Sequence, residues 1–281
     1  MIESVRKYRV VLFALTGIGN STLQSLVSMG NKPILLVTRR EKSHFPYYPL
    51  QNIASVAAEM GVPVSYGEEG EEEALQLQPD IIIVATYHRI LSTQLVKSVK
   101  YAFNLHPSLL PRYRGPCPFF WALINGERET GMTVHYITDQ LDQGDIVLQK
   151  RILIMQDETQ GSLRARLAGL SAKVVRELLN KLEKGDLQAV KQDEALATYF
   201  PKIPDSQKYI DFSAGAEKVI QQIRALTPWP GAMLKVKIKN IHEMRSGHSQ
   251  LSSNAEENIV VNIGDTPFLL EVDQSDGEAK E

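Results

Sequence analysis

Short apolar runs that alternate with helical patterns constrain the fold of this chain more than any other feature. The clearest runs are Val10–Leu15, Ile34–Val37, Asp80–Ala85 and Tyr101–Leu105. Runs of this kind are typical of strands that are buried on both faces. Strands that alternate with helices predict an α/β fold with a doubly wound, Rossmann-like, mostly parallel sheet. Ligands of such sheets bind beyond the carboxyl ends of the strands.

The remaining elements follow from the same patterns. Between the first runs we predict helices over Asn52–Met60 and Glu71–Leu77 and a strand over Val62–Tyr66. Further along we predict a helix over Phe119–Asn125, strands over Met132–Thr138 and Asp145–Met155, and helices over Ser162–Lys184 and Ala214–Leu226. Short alternating strands such as Met233–Ile238 complete the chain.

The chain is long enough for two domains of ordinary size. Residues 191–208 are polar, contain two prolines and predict a linker. The linker separates a large domain over residues 1–190 from a small β-rich C-terminal domain over residues 209–281. We expect the acidic end of this second domain to be frayed.

Composition excludes several classes of function. The net charge of −2 gives no bulk attraction to nucleic acid. The single cysteine, Cys117, cannot form an internal disulfide or a CxxC zinc site, and we expect no metal. The apolar runs are too short to span a bilayer, and the N-terminus has no signal-sequence pattern. These observations favour a cytoplasmic protein that does not bind membranes.

The most informative stretch is Asn104–Pro111, which reads Asn-Leu-His-Pro-Ser-Leu-Leu-Pro. Asn104 and His106 lie two residues apart at the end of a strand, so their side chains can face the same way. An asparagine can donate a hydrogen bond to a developing oxyanion, and a histidine can act as acid or base. By itself the pair indicates no more than polar residues that hydrogen-bond a turn.

Asn104–Pro111, followed by the Leu-Asp-Gln-Gly-Asp of Leu141–Asp145, resembles the formyltransferase family that uses 10-formyltetrahydrofolate. That family includes methionyl-tRNA, glycinamide ribonucleotide and amino-sugar formyltransferases. The resemblance implies the formyltransferase fold, with Asn104, His106 and Asp142 as the catalytic residues. An amine would attack the formyl carbon, Asn104 and His106 would stabilise the oxyanion, and Asp142 would orient His106.

The same resemblance implies a site for 10-formyltetrahydrofolate. Tyr87–Ser92 is similar to the folate-binding loop of the family, in which backbone groups at Arg89, Ile90 and Leu91 would bind the pterin. Ile137–Asp142 would form the other wall, through Ile137 and Asp139 among others.

Other residues near these motifs keep two interpretations. For Asp139 and Asp145, turn formation is favoured over a catalytic role. His135 either faces the cleft or is a buried, hydrogen-bonded histidine. Gly17–Asn20 lacks a full dinucleotide fingerprint and is interpreted as a strand-to-helix turn. Direct transfer needs no nucleophile, so Cys117 is interpreted as a small apolar residue.

The C-terminal part helps to define the amine acceptor. Tyr209–Ser213 and Ile223–Ala232 look like the linker and second domain that methionyl-tRNA and sugar formyltransferases share. Thr38–Pro49 is shorter and more aromatic than the basic loop of the tRNA enzyme. We therefore expect a small-molecule acceptor, a nucleotide-linked amino sugar, which Phe45, Tyr47 and Tyr48 could contact by stacking.

Alternatives to the amino-sugar acceptor remain at this stage. Methionyl-tRNA is the first alternative, although the near-neutral charge argues against nucleic acid as a partner. Hydrolysis of 10-formyltetrahydrofolate and an inactive folate-binding module are less favoured, because the three catalytic positions are filled. A homodimer is compatible with the sequence.

Overall fold

A computed structural model describes residues 8–40, 51–233, 237–243, 258–263 and 266–273, the last three ranges as backbone strands alone. The chain divides into two compact units, Met1–Ala232 and Met233–Glu281. The aromatic residues proposed for stacking, Phe45, Tyr47 and Tyr48, and most of the acidic C-terminal end lie outside the described residues.

The first unit alternates strands and helices over its first half. Its strands are β1 (Val10–Ala14), β2 (Leu35–Thr38), β3 (Val64–Tyr66), β4 (Ile81–Ala85), β5 (Tyr101–His106), β6 (Glu129–Tyr136) and β7 (Ile146–Leu153). Its helices are α1 (Ile18–Ser28), α2 (Ile53–Glu59), α3 (Gly67–Gln76), α4 (Thr93–Ser98), α5 (Pro118–Ile124), α6 (Gln160–Lys184) and α7 (Ala216–Leu226).

These strands form one sheet of seven strands in the order β3-β2-β1-β4-β5-β6-β7. β1 to β5 are parallel to their neighbours, whereas β6 and β7 run antiparallel. Alternate residues of β1 enter different cores: Leu12 packs in the one that includes residues of α1, α5 and α6, and Phe13 in the one that includes residues of α3 and α4. The sheet is covered on both faces, which confirms the predicted doubly wound α/β fold.

Most predicted elements are present, with shifted ends. α3 begins at Gly67 rather than at Glu71, because Glu68 and Glu69 in its first turn complement the positive end of the helix dipole. β6 begins three residues before Met132 because its first residues pair with β7. Part of the predicted strand over Met233–Ile238 lies outside the described residues.

Residues 191–208, predicted as a linker, pack against the first unit. The backbone N–H of Arg114 donates to Thr198 O (2.8 Å), and the N–H of Phe200 donates to Arg114 O (2.9 Å). α7 packs on α5, so it also belongs to the first compact unit. The two domains and the linker inferred from the sequence stay a prediction, and the chain's own contacts divide it later, at residue 233.

The second unit contains an antiparallel sheet of three strands. Its strands, in the order β8-β10-β9, are β8 (Lys237–Glu243), β9 (Asn258–Ile263) and β10 (Thr266–Asp273). This architecture agrees with the β-rich C-terminal region expected from the sequence. No helix in the part of the chain that the structure describes is long and apolar enough to cross a membrane.

Candidate active site

The end of β5 brings two of the predicted catalytic residues to one edge of the sheet. Asn104 and His106 are separated by one residue, and both line the same cavity. Asn104 pairs directly with His135 of the antiparallel neighbour β6. A register irregularity at Val134/His135 follows in β6, and such irregularities redirect side chains next to many active sites.

Asp142 reaches the same place from the loop between β6 and β7. Its backbone adopts a left-handed conformation with φ of 57°, which aspartate tolerates better than most residues. Its Oδ1 lies 3.3 Å from Asn104 Nδ2 and 3.5 Å from His106 Nδ1. Its Oδ2 accepts a hydrogen bond from the backbone N–H of Gly115 (2.8 Å). Asn104, His106 and Asp142 therefore converge around one carboxylate.

Burial and charge set the protonation of this cluster. Burial lowers the pKa of His106, against the opposing effect of Asp142. Burial also tends to raise the pKa of Asp142, but the nearby His106, His135 and Gly115 N–H together hold that pKa well below its ordinary value. Asp142 is consequently an anion at neutral pH, and its charge faces two imidazole rings.

The hydrogen bonds of His106 define which ring nitrogen can exchange a proton. Nε2 of His106 lies 2.8 Å from the carbonyl oxygen of Tyr113, so Nε2 carries a hydrogen and donates it. Nδ1 lies 3.5 Å from Asp142 Oδ1, at the outer limit of a hydrogen bond. Nδ1 is the nitrogen that can gain or lose a proton.

His135 fixes the orientation of the Asn104 amide. Its Nδ1 lies 2.8 Å from the carbonyl oxygen of Tyr136 and must be the donor, which leaves Nε2 of neutral His135 as an acceptor. Asn104 Nδ2 lies 3.1 Å from that Nε2 and 3.3 Å from Asp142 Oδ1, so both of its hydrogens are used. Among the described residues, no group donates a hydrogen bond to the side-chain oxygen Oδ1 of Asn104.

These side chains line a cavity of about 720 Å³, a size typical of sites for small organic ligands. One wall is the loop after β4, and the opposite wall is the loop between β6 and β7. Tyr199, Pro201 and Lys202, from the stretch predicted as a linker, also line it. The carboxyl ends of β4 and β5 thus open into one pocket, as expected for a doubly wound sheet.

All five residues predicted to bind folate line this cavity: Arg89, Ile90, Leu91, Ile137 and Asp139. The Ile90 side chain is 80% exposed and Leu91 is buried. No hydrogen bond among the described residues uses the backbone N–H or carbonyl groups of Arg89, Ile90 and Leu91. Their backbone is therefore available to a ligand.

The side chains of two of these residues have other partners. The Arg89 guanidinium pairs with Glu68 at 2.5 Å. The carboxylate of Asp139 accepts from Thr93 Oγ1 at 3.0 Å, which ties the loop between β6 and β7 to α4. Both pairs stabilise the loops that form the walls of the cavity.

Sequence reasoning did not identify two residues that shape the site. Gln192, within the predicted linker, is buried and donates to the backbone of the Asp142 loop. No motif or periodicity marks a single glutamine in a polar segment. Gly115 has φ of 96°, and a Cβ there would lie 2.3 Å from Phe200 O, so only glycine can adopt this backbone conformation at this place. The glycine at the end of the Arg-Tyr-Arg-Gly stretch was the available signal.

Cys117 also lines the cavity. Burial raises the pKa of its thiol, so the thiol stays protonated at neutral pH and is a poor nucleophile. In residues 8–40 and 51–233 and the described strands beyond them, no group of three or more His, Cys, Asp or Glu side chains is placed to hold a metal ion.

Comparison with known proteins identifies the class to which this fold and site belong. Residues 35–179 match the family described as Formyl transferase, and residues 202–280 match its C-terminal domain. The chain belongs to the formyl transferase family, whose members are enzymes that use formyltetrahydrofolate.

The similarity extends over most of the chain. A methionyl-tRNA formyltransferase of Citrifermentans bemidjiense is 37% identical over 80% of this chain and 73% of its own length. One from Caldanaerobacter subterraneus subsp. tengcongensis is 31% identical over 97% of this chain and 94% of its own length. Among solved structures, an N-formyltransferase from Helicobacter canadensis in complex with folinic acid and dTDP-3-aminofucose has a TM-score of 0.67. It is 20% identical and covers 94% of this chain and 99% of its own, which establishes the shared fold.

Proposed function

We propose that this chain transfers the formyl group of 10-formyltetrahydrofolate to a primary amine in the cavity at the end of β5. The observation that carries the proposal is the convergence of Asn104, His106 and Asp142 in one cavity of a chain of the formyl transferase family. Each of the three side chains has a distinct role.

His106 is the residue that handles the proton. With Nε2 committed to the Tyr113 carbonyl, a second proton on Nδ1 makes His106 a cation beside Asp142. That cation can donate a hydrogen bond to the formyl oxygen as negative charge develops there. Donors of this kind typically contribute about 3–4 kcal/mol to lowering the barrier. Asp142 stabilises the charged ring, and water beside it can relay the proton that the amine releases to N10 of the folate, whose bond to the formyl carbon breaks as the new amide bond forms.

Asn104 positions the acceptor amine in the arrangement that the structure describes. Both hydrogens of its amide are donated to His135 and Asp142, so its free atom is Oδ1. Oδ1 can accept a hydrogen bond from the attacking N–H and direct the nitrogen lone pair at the formyl carbon. Donation to the oxyanion, the role expected from the sequence, requires the amide to turn over.

We place the folate between the two walls of the cavity. The unoccupied backbone groups at Arg89, Ile90 and Leu91 present donors and acceptors in a row, which suits the polar edge of a flat heterocycle. Ile137 and Leu141 add apolar surface on the opposite wall. The chain would thus hold the pterin by its edge and leave the formyl-bearing nitrogen toward His106.

For the acceptor, we propose the amino group of methionyl-tRNA. Relatives between 31% and 39% identical carry the name methionyl-tRNA formyltransferase. The match extends through the C-terminal region, which the family description treats as a domain of its own. This support is stronger than that for the amino sugar favoured from the sequence alone.

A nucleotide-linked amino sugar is the second candidate. The observation that favours it is the net charge of −2, because proteins that bind tRNA usually present clustered basic residues. The similar fold of an enzyme solved with dTDP-3-aminofucose is compatible with such an acceptor. A small acceptor would need little more than the described cavity.

One experiment separates these acceptors. The purified chain is mixed with 10-formyltetrahydrofolate and either methionylated initiator tRNA or a panel of nucleotide-linked amino sugars, and products are read by mass spectrometry. His106→Ala serves as the inactive control. We expect formyl-methionyl-tRNA as the product. Formylation of a sugar alone would move the proposal to the second candidate, and loss of the formyl group without any acceptor would indicate a hydrolase.

A further inference from the structure

The segment after α6 passes beneath the active-site loops and buries the side chain of Gln192. Its Nε2 donates to Asp142 O and to Gly144 O, both at 2.8 Å. Its Oε1 accepts from Arg114, at 3.2 Å from Nε and 2.8 Å from Nη2. The amide thus makes all four of the hydrogen bonds open to it, and the direction of each bond fixes its orientation.

Arg114 is itself anchored. Its side chain is 5% exposed, and Nη1 and Nη2 donate to the carboxylate of Glu194 at 2.9 and 2.7 Å. The next residue, Gly115, donates its backbone N–H to the Asp142 carboxylate. Asp142 is therefore held at its backbone by Gln192 and at its side chain by Gly115. Because Gln192 also binds Arg114, both contacts connect Asp142 to the dipeptide Arg114-Gly115.

We propose that Gln192 is a positioning residue that holds the Asp142 loop in the conformation that directs the carboxylate at His106. The inference rests on the proposed function, because it takes Asp142 and His106 as the reacting pair. Gln192 does not line the cavity, so it acts through the loop and not on the substrate.

The geometry explains why this loop needs such support. Asp142 has a left-handed backbone, which is less favourable than the right-handed one even for aspartate and which its surroundings help to hold. Loss of the Gln192 amide leaves the carbonyls of Asp142 and Gly144 without their shared donor. The loop would then rearrange so that these carbonyls bind water, and Oδ1 of Asp142 would move away from His106.

The test uses the full chain with Gln192→Met, which keeps side-chain length and removes both donors. Gln192→Asn, one methylene shorter, is the second variant. The matched control is Gln160→Met, since Gln160 is also buried and donates to a backbone carbonyl, that of Ala225, but does not line the cavity. Circular dichroism and thermal melting establish that each variant is folded.

Two readouts follow. In histidine-labelled NMR titrations, Gln192→Met should lower the pKa of His106, because the Asp142 carboxylate that raises it has moved. His135 Nε2 also lies near Asp142 Oδ1, at 3.6 Å, so the signals of the two histidines must be assigned separately. In formyl-transfer assays, kcat should fall on the order of 100-fold, as for an ångström-scale misplacement, while KM for the folate changes little. Gln192→Asn should change the pKa of His106 and kcat in the same direction as Gln192→Met, and Gln160→Met should change neither quantity.

An unchanged His106 titration in folded Gln192→Met and Gln192→Asn would overturn the proposal. Failure of both variants to fold, with Gln160→Met folded, would also overturn it by assigning Gln192 to folding. The titration needs no substrate. A wild-type chain that transfers no formyl group would contradict the proposed function, yet the titration would still decide the role of Gln192.

Discussion

Gly144 lies two residues after Asp142, where the loop passes against the end of β6. A Cβ added at Gly144 would stand 1.8 Å from the carbonyl oxygen of Tyr136 and 2.7 Å from its carbonyl carbon. Both are backbone atoms of a paired strand, so the loop must move instead. To reach 3.0 Å, a separation that real Cβ atoms hardly ever undercut, the loop must shift by about 1.2 Å.

Such a shift exceeds what the Asp142–His106 contact tolerates, because that contact already spans 3.5 Å. We expect Gly144→Ala to lower kcat/KM for formyl transfer on the order of 100-fold, the usual cost of a 1 Å misplacement. Gly169→Ala is the matched control, since a Cβ at Gly169 in α6 meets nothing within 4 Å. This control should keep full activity and gain up to about 1 kcal/mol of stability from helix propensity.

Single-turnover transfer and thermal melting measure the two effects. A folded Gly144→Ala protein with activity within about twofold of wild type would refute this account of the loop, because an unmoved Asp142 is incompatible with the added methyl group.

Three further predictions concern the same cavity. Burial lowers the pKa of His106 in the folded chain. As pH falls below about 6.5, the unfolded chain therefore binds a proton at His106 before the folded chain does, and the free energy of unfolding decreases. In urea unfolding between about pH 7 and 5, His106→Gln should make this decrease smaller. Cys117→Ser should leave transfer within about threefold of wild type in a steady-state assay, and a large loss in a folded protein would revive a thiol mechanism. Asp139→Ala removes the bond to Thr93 and should weaken folate binding by less than about tenfold in calorimetry, whereas abolished binding would show that the carboxylate contacts folate directly.

The fold was largely predictable from the sequence because strands buried on both faces have a clear pattern of continuous apolar residues. β1 and β4 are wholly apolar and wholly buried, and their order along the chain with intervening helices implies a parallel sheet. The ends of elements were less predictable. α3 starts with Gly67 and two glutamates, which give no apolar periodicity, so its first turn was visible only through charge.

The candidate site was predictable where residues lie close in sequence and follow a strand. Asn104 and His106 share one strand, so their proximity follows from strand geometry alone. Bringing Asp142 beside them depends on β6 pairing with β5, a long-range contact that the family resemblance supplied. The contribution of Gln192 was not predictable, because it depends on the path of an irregular segment that no local pattern specifies.

The acceptor shows a different limit. Net charge and the character of the Thr38–Pro49 stretch favoured a small acceptor, whereas the named relatives favour methionyl-tRNA. Much of that stretch lies outside the described residues, so the geometry of the cavity bears on the folate and the reacting amine more than on the rest of the acceptor.

The central claim is that the Asp142 carboxylate and His106 together promote formyl transfer. The most direct test is the single-turnover rate of formyl transfer from 10-formyltetrahydrofolate to methionyl-tRNA for wild type and Asp142→Asn, a variant of nearly identical shape. We expect a loss of at least about 100-fold with folate affinity retained, because the charge that stabilises protonated His106 is gone. A folded Asp142→Asn protein that transfers the formyl group at the wild-type rate would contradict it.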